Sequence, residues 1–160
     1  MRIRPASAQD DGAIWALFQE VARAGDAFAF DEHTTREEAL RLWRGRGSAA
    51  YVALLDGEVA GSYYIKPNQP GRGAHVCNAG YMVAARARGR GVGRAMGEHS
   101  LQEAKRLGYH AMQYNFVVAT NTAAVELWKR LGFEVVGKLR QAFRHPQRGL
   151  VDALVLYRLL

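Results

Sequence analysis

Tyr81-Met-Val-Ala-Ala-Arg-Ala-Arg-Gly-Arg-Gly-Val-Gly-Arg94 is the stretch that decides the fold. Its first residues close an apolar run, His75–Val83, that reads as a strand. Its last residues open a helix running through Leu107, with Met96, Leu101 and Ala104 on the inner face. Between them Gly89, Gly91 and Gly93 interleave with arginines. A helix N-terminus leaves backbone N–H groups unpaired and carries the positive end of the helix dipole, so a strand, glycine turn and helix in this order suit a phosphate. Arg86, Arg88, Arg90 and Arg94 add charge within nine residues that contain no acid.

Reading outward, the N-terminal side opens with a short strand at Met1–Arg4. Ser7 with Asp10 resembles a capping box, and Ile14, Leu17, Phe18 and Val21 follow at helical spacing until Gly25. Gly25–His33 reads as a loop, and Thr35 with Glu38 is a second capping box for a helix to about Arg44. Ala50–Leu55 and Val59–Ile65 flank Asp56-Gly57, a hairpin signal. On the C-terminal side, Tyr109–Ala119 is a strand and Thr122–Leu131 a helix stopped by Gly132. Phe133–Leu139 and Val151–Leu159 are closing strands joined by a loop with Pro146 and Gly149. With no repeat or linker, residues 1–160 read as a single α/β (α+β) domain with a mixed sheet.

The chain has 160 residues, 22 basic against 15 acidic, for a formal charge of +7. That excess favours anionic partners, and its local concentration at Arg86–Arg94 points to a phosphorylated small molecule. A nucleic-acid surface would want aromatic stacking residues beside the arginines, and none is there. No apolar run reaches the ~20 residues of a membrane span, and the N-terminus lacks a signal-peptide core. The single cysteine, Cys77, rules out an internal disulfide and a Cys-based metal cluster. A cytoplasmic protein without metal, membrane or nucleic-acid partners is expected.

Three phosphate motifs compete for the glycine turn. A dinucleotide fingerprint needs its third glycine one residue before Gly97, and a P-loop needs a Gly-Lys-Ser/Thr that is absent. The third, R/Q-x-x-G-x-G/A, is matched in full by Arg88-Gly89-Arg90-Gly91-Val92-Gly93. Set between a strand and a helix, that match resembles the acetyl-CoA site of the GNAT N-acetyltransferases. Asn121-Thr-Ala-Ala-Val-Glu-Leu-Trp-Lys-Arg-Leu-Gly-Phe133 is similar to the family's second signature helix. The resemblance implies a mixed, mostly antiparallel central sheet flanked by helices. It implies acetyl-CoA as cosubstrate, its pyrophosphate on the backbone of Arg88–Arg94 and its pantetheine arm on the main chain of Tyr81, Met82 and Val83. Asn121 and Trp128 complete that cofactor set, and a homodimer stays open.

Trp128 stands where many GNAT enzymes carry a tyrosine that protonates the departing thiolate. An indole N–H donates a hydrogen bond but supplies no proton, so packing between helix and sheet is the plainer role. Cys77 reads as a buried small hydrophobe, and His75 as a lone histidine with a structural role. Three amides stand out: Asn78, Asn115 and Asn121. His75-Val-Cys-Asn-Ala-Gly80 and Asn115-Phe-Val-Val-Ala-Thr-Asn121 are similar to segments of fungal proline-analogue (azetidine-2-carboxylate) N-acetyltransferases. That likeness implies that the three asparagines hold substrate and support catalysis, and that the acceptor is a small amino or imino acid. Strand-to-strand bonding and a helix cap are the alternative roles for the same amides. Phe28, Phe30 and Asp31 lie in the loop that lids the acceptor site in many GNAT enzymes and are acceptor-contact candidates, with loop packing as the alternative. Other functions left open are acetylation of a protein N-terminus or lysine, and a non-catalytic module binding CoA or nucleic acid.

Overall fold

The computed structural model describes residues 1–160. Strand β1 (Arg2–Pro5) leads to helices α1 (Asp11–Ala24) and α2 (Arg36–Arg44), then to strands β2 (Ala49–Leu55), β3 (Glu58–Pro67) and β4 (Val76–Val83). Helix α3 (Val92–Arg106), strand β5 (Ala111–Val118), helix α4 (Thr122–Arg130) and strands β6 (Glu134–His145) and β7 (Gly149–Leu159) complete the chain. The strands form one seven-stranded sheet in the order β1-β2-β3-β4-β5-β7-β6. Every neighbouring pair is antiparallel except β4 and β5, which run parallel. No helix is long and apolar enough to cross a membrane.

Strand alternation assigns the two layers of helices. Ser62 on β3 faces α2, where its hydroxyl accepts the Trp43 indole N–H at 2.8 Å. Tyr63, the next residue, faces α3. There Tyr51, Tyr63 and Tyr81, on three successive strands, reach Glu103, His99 and Ser100 at 2.7, 2.6 and 2.7 Å. These hydroxyls tie α3 to the sheet, and each buried phenol has a partner. Both capping boxes form, the first on a short 3-10 turn ahead of α1.

The strand expected to end at Leu139 instead continues to His145 as β6. A bulge between Leu139 and Phe143, with Gln141 at φ 52°, carries it past the expected loop, and the Gln141 N–H finds the Asp152 carboxylate at 2.9 Å. As an edge strand with mostly exposed residues, β6 has little apolar alternation to mark its length.

The decisive feature lies at the sheet's centre. β4 and β5 pair only through Val76–Asn78 and Ala111–Gln113. Beyond Asn78 the strands part, and a bulge between Tyr114 and Val117 bends β5 away from β4 toward β7. The edge of β4 from Ala79 onward therefore has no strand beside it, and its main-chain groups face a gap.

Candidate active site

Two cavities meet at that gap. The larger, about 850 Å³, is a cleft bounded by Tyr81–Val83, the Arg88–Arg94 turn, the start of α4 and the β6–β7 turn. Gly91 caps α3 at φ 80°, a left-handed conformation that favours glycine, and the first turn of α3 holds no acid. Four-residue runs of unpaired N–H groups at a helix start need partners, and here they open onto the cleft. The buried Thr120 hydroxyl, in a residue lining the same cleft, has no partner in the chain. An orphan donor, free helix N–H groups and nearby guanidinium groups fit an elongated phosphorylated ligand.

The expected arginines divide. Arg88 and Arg94 line the cleft, although Arg94 also pairs with Glu98 at 2.8 Å. Arg90 does not line it: its guanidinium turns back to Asp56 at 2.9 Å, so this residue brings backbone but no side-chain charge to a ligand. His145 at the end of β6, with Gln147 and Arg148 of the β6–β7 turn, also lines the cleft.

The smaller pocket, about 350 Å³, passes between Phe28 and Phe30 on one side and Asn78, Tyr114 and Asn115 on the other. Phe28 stacks on Phe30 at 4.9 Å, and Phe30 on Phe18 of α1 at 4.5 Å, which anchors the loop over the pocket. Asp31 is not in it. Its carboxylate accepts the His33 N–H at 2.8 Å and faces a separate exposed groove, so the loop turns this side chain away from the smaller pocket. Tyr81, Asn121 and Trp128 border both cavities.

The three asparagines lie around the smaller pocket, engaged in the bonds their alternative roles describe. The Asn68 Oδ1 accepts from Asn115 Nδ2 at 2.7 Å and from Asn78 Nδ2 at 3.4 Å, while Asn115 Oδ1 accepts from Gln113 at 2.9 Å. Asn121 caps α4, accepting the Ala124 N–H at 3.3 Å. Trp128 is 7% exposed and packs against Tyr81 and Tyr114 with ring centroids 4.7 and 4.8 Å away. Burial pushes the Tyr81 and Tyr114 hydroxyls above the ordinary phenol range, so both stay protonated. Cys77 is fully buried, its thiol pushed up to about 12, which leaves no thiolate to act as a nucleophile. His75 lies exposed beside His110, 6.1 Å between rings, outside both cavities.

Residues 14–133 match the acetyltransferase (GNAT) family. The chain belongs to that family. It is 41% identical over 96 residues to the N-acetyltransferase aca1 of Schizosaccharomyces pombe, a match covering 59% of this chain and 46% of that protein. The match thus spans less than half the length of that curated relative. A GCN5-related N-acetyltransferase from Kribbella flavida is 47% identical, with a TM-score of 0.95 over 99% of this chain and 97% of that one. A ribosomal-protein-alanine N-acetyltransferase from Brucella melitensis is 27% identical, with a TM-score of 0.88 across the full length of both.

As a GNAT enzyme the chain is an acetyl-CoA-dependent N-acetyltransferase. Several residues of its GNAT site escaped sequence reading. Tyr64 and Lys66 of β3 line the smaller pocket, as do Tyr114 and Phe116 of β5. The available signal was register: Tyr64 pairs with Gly80 and Lys66 with Asn78. Gly80 is required there, because a Cβ would sit 2.7 Å from the Tyr64 ring.

Proposed function

We propose that this chain acetylates the amine of a small amino or imino acid by direct transfer from acetyl-CoA within a ternary complex. The observation that carries the reading is the junction of the two cavities where β4 and β5 part, bordered by Tyr81, Asn121 and Trp128. The pyrophosphate lies on the N–H groups that open α3, with Arg88 and Arg94 beside it. The pantetheine arm follows the free edge of β4 at Tyr81, Met82 and Val83, which brings the thioester to the gap.

There the neutral amine attacks the thioester carbonyl. The C–N bond forms and the carbonyl oxygen gains negative charge against unpaired N–H groups of β4; the nitrogen gives its surplus proton to water, the carbonyl re-forms and the C–S bond breaks to release the thiolate. A thiol of pKa ~8.5 leaves without full protonation, so Trp128 serves as a wall rather than an acid. Burial of Cys77 argues against an acetyl-cysteine intermediate and supports transfer in one step. A pocket of about 350 Å³ suits a small acceptor. The amides Asn78, Asn115 and Asn121 would hold it, as the likeness to the proline-analogue enzymes implies. A buried lone cysteine also fits a reducing, cytoplasmic setting.

A second acceptor class has its own support. The Brucella melitensis relative is named for acetylating ribosomal-protein alanine, and it aligns over its whole length. Thiol release from acetyl-CoA, measured across free amino and imino acids and alanine-initiated peptides, separates the two. Release with free acids is expected. Release with peptides alone would replace the small-acceptor reading by the second, and release with neither would overturn both.

A further inference from the structure

We propose that Lys66 is the carboxylate anchor of the acceptor pocket and selects free amino or imino acids over their amides. The inference rests on the small-acceptor reading and adds the group that would recognise the acid. Lys66 is the sole cation lining the pocket, and no Asp, Glu or His lines it. Its ammonium stands 4.9 Å from the centroid of the Tyr64 ring, a cation–π contact that holds the side chain without neutralising it. All nine ion pairs of the chain lie elsewhere.

Strand geometry aims this charge. Lys66 and Tyr64 are two residues apart on β3 and share a face, and Lys66 lies opposite Asn78 across the β3–β4 ladder. The cation therefore lies across the ladder from Asn78, which is joined through Asn68 to Asn115, and it shares the pocket lining with Asn78 and Asn115 and with Phe28 and Phe30. A carboxylate held there would meet one full charge and several neutral donors, leaving the rest of a small acceptor against apolar surface.

The same charge bears on the amine. A lone cation disfavours a second cation nearby, so it shifts an entering ammonium toward its neutral, nucleophilic form. The reactive form of an amino acid, a neutral amine with an ionised carboxylate, carries a single negative charge and is the complement of this pocket. An acceptor without the carboxylate enters against the charge of Lys66 and gains nothing from it. In a pocket with no carboxylate or imidazole base, this electrostatic bias takes over part of a base's work.

The test compares the parent with Lys66→Gln and Lys66→Arg on the best free acid of the acceptor panel, its primary amide and its decarboxylated amine. Lys66→Gln is expected to raise KM for the free acid at least tenfold. KM for the amide and the amine should stay level or fall, CoA affinity should not change, and Lys66→Arg should recover part of the loss. A folded Lys66→Gln variant that shifts KM for acid and amide by the same factor, or matches the parent on both, overturns the Lys66 assignment alone. A parent that acetylates peptides and no free acid overturns the assignment together with the small-acceptor reading.

Discussion

Asp10 accepts four hydrogen bonds at the entrance to α1. Its carboxylate accepts from both terminal nitrogens of Arg4 at 2.8 Å, the Ser7 N–H at 2.7 Å and the Ser7 hydroxyl at 3.1 Å, and the residue is 5% exposed. The Arg4 guanidinium, with help from Ser7, keeps this carboxyl well below the usual carboxylate range. A carboxyl whose pKa falls on folding stabilises the native state above its unfolded pKa, ~3.9, and loses that contribution as pH drops toward the lowered value. Asp10→Ala should therefore cost about 1–3 kcal/mol at neutral pH. Urea unfolding would show the gap between parent and variant narrowing below about pH 4. A gap that stayed constant down to strong acid would show that the ionised carboxylate is not what matters. Trp128 belongs to the same scale. Packed on Tyr81 and Tyr114, it is a wall, so Trp128→Phe should keep most turnover and lose about 1–3 kcal/mol of stability. Restoring the family residue with Trp128→Tyr should leave kcat near the parent's. A large rise in kcat would instead reveal a reaction limited by a missing acid.

At the scale of elements, local signals were legible and non-local ones were not. Capping boxes at Ser7 and Thr35, the Asp56-Gly57 hairpin and the glycine turn before α3 are each written within a few residues, and each forms. The length of β6 depends on a bulge opposite β7, which no periodicity in Arg140-Gln-Ala reports. The parting of β4 and β5 is a property of two strands thirty-odd residues apart, and neither strand's composition announces where pairing stops. The site divides in the same way. Much of the larger cleft's lining was readable because its residues run almost without a break from Arg88 to Arg94. The smaller pocket was readable only in its asparagines and loop phenylalanines, since Lys66 and Tyr64 reach it through register with Asn78 and Gly80. Asp31 and Arg90 show the limit of position alone: each lies in the right segment, and each side chain turns to a nearer partner.

For the whole molecule, one sheet opens at its middle, and both cavities use that opening. On the proposed reading the donor's phosphates lie at the start of α3, its thioester at the gap, and the acceptor against Lys66 and the phenylalanines. Gly93 offers a clean interruption of this path. Unlike Gly91 it has no left-handed backbone, and a Cβ there would meet Leu127 at 3.6 Å and Val83 at 3.9 Å, ordinary contact distances. A glutamate in the first turn also suits the helix dipole, so Gly93→Glu should fold. Its carboxylate would occupy the cleft where the proposal puts the phosphates. Calorimetric titration of CoA into the parent and into Gly93→Glu is the most direct measurement. The parent should bind, and the variant, with unchanged circular dichroism and melting temperature, should give no binding heat at concentrations that saturate the parent. A folded Gly93→Glu protein with the parent's affinity for CoA would mean that the phosphates do not lie at the start of α3.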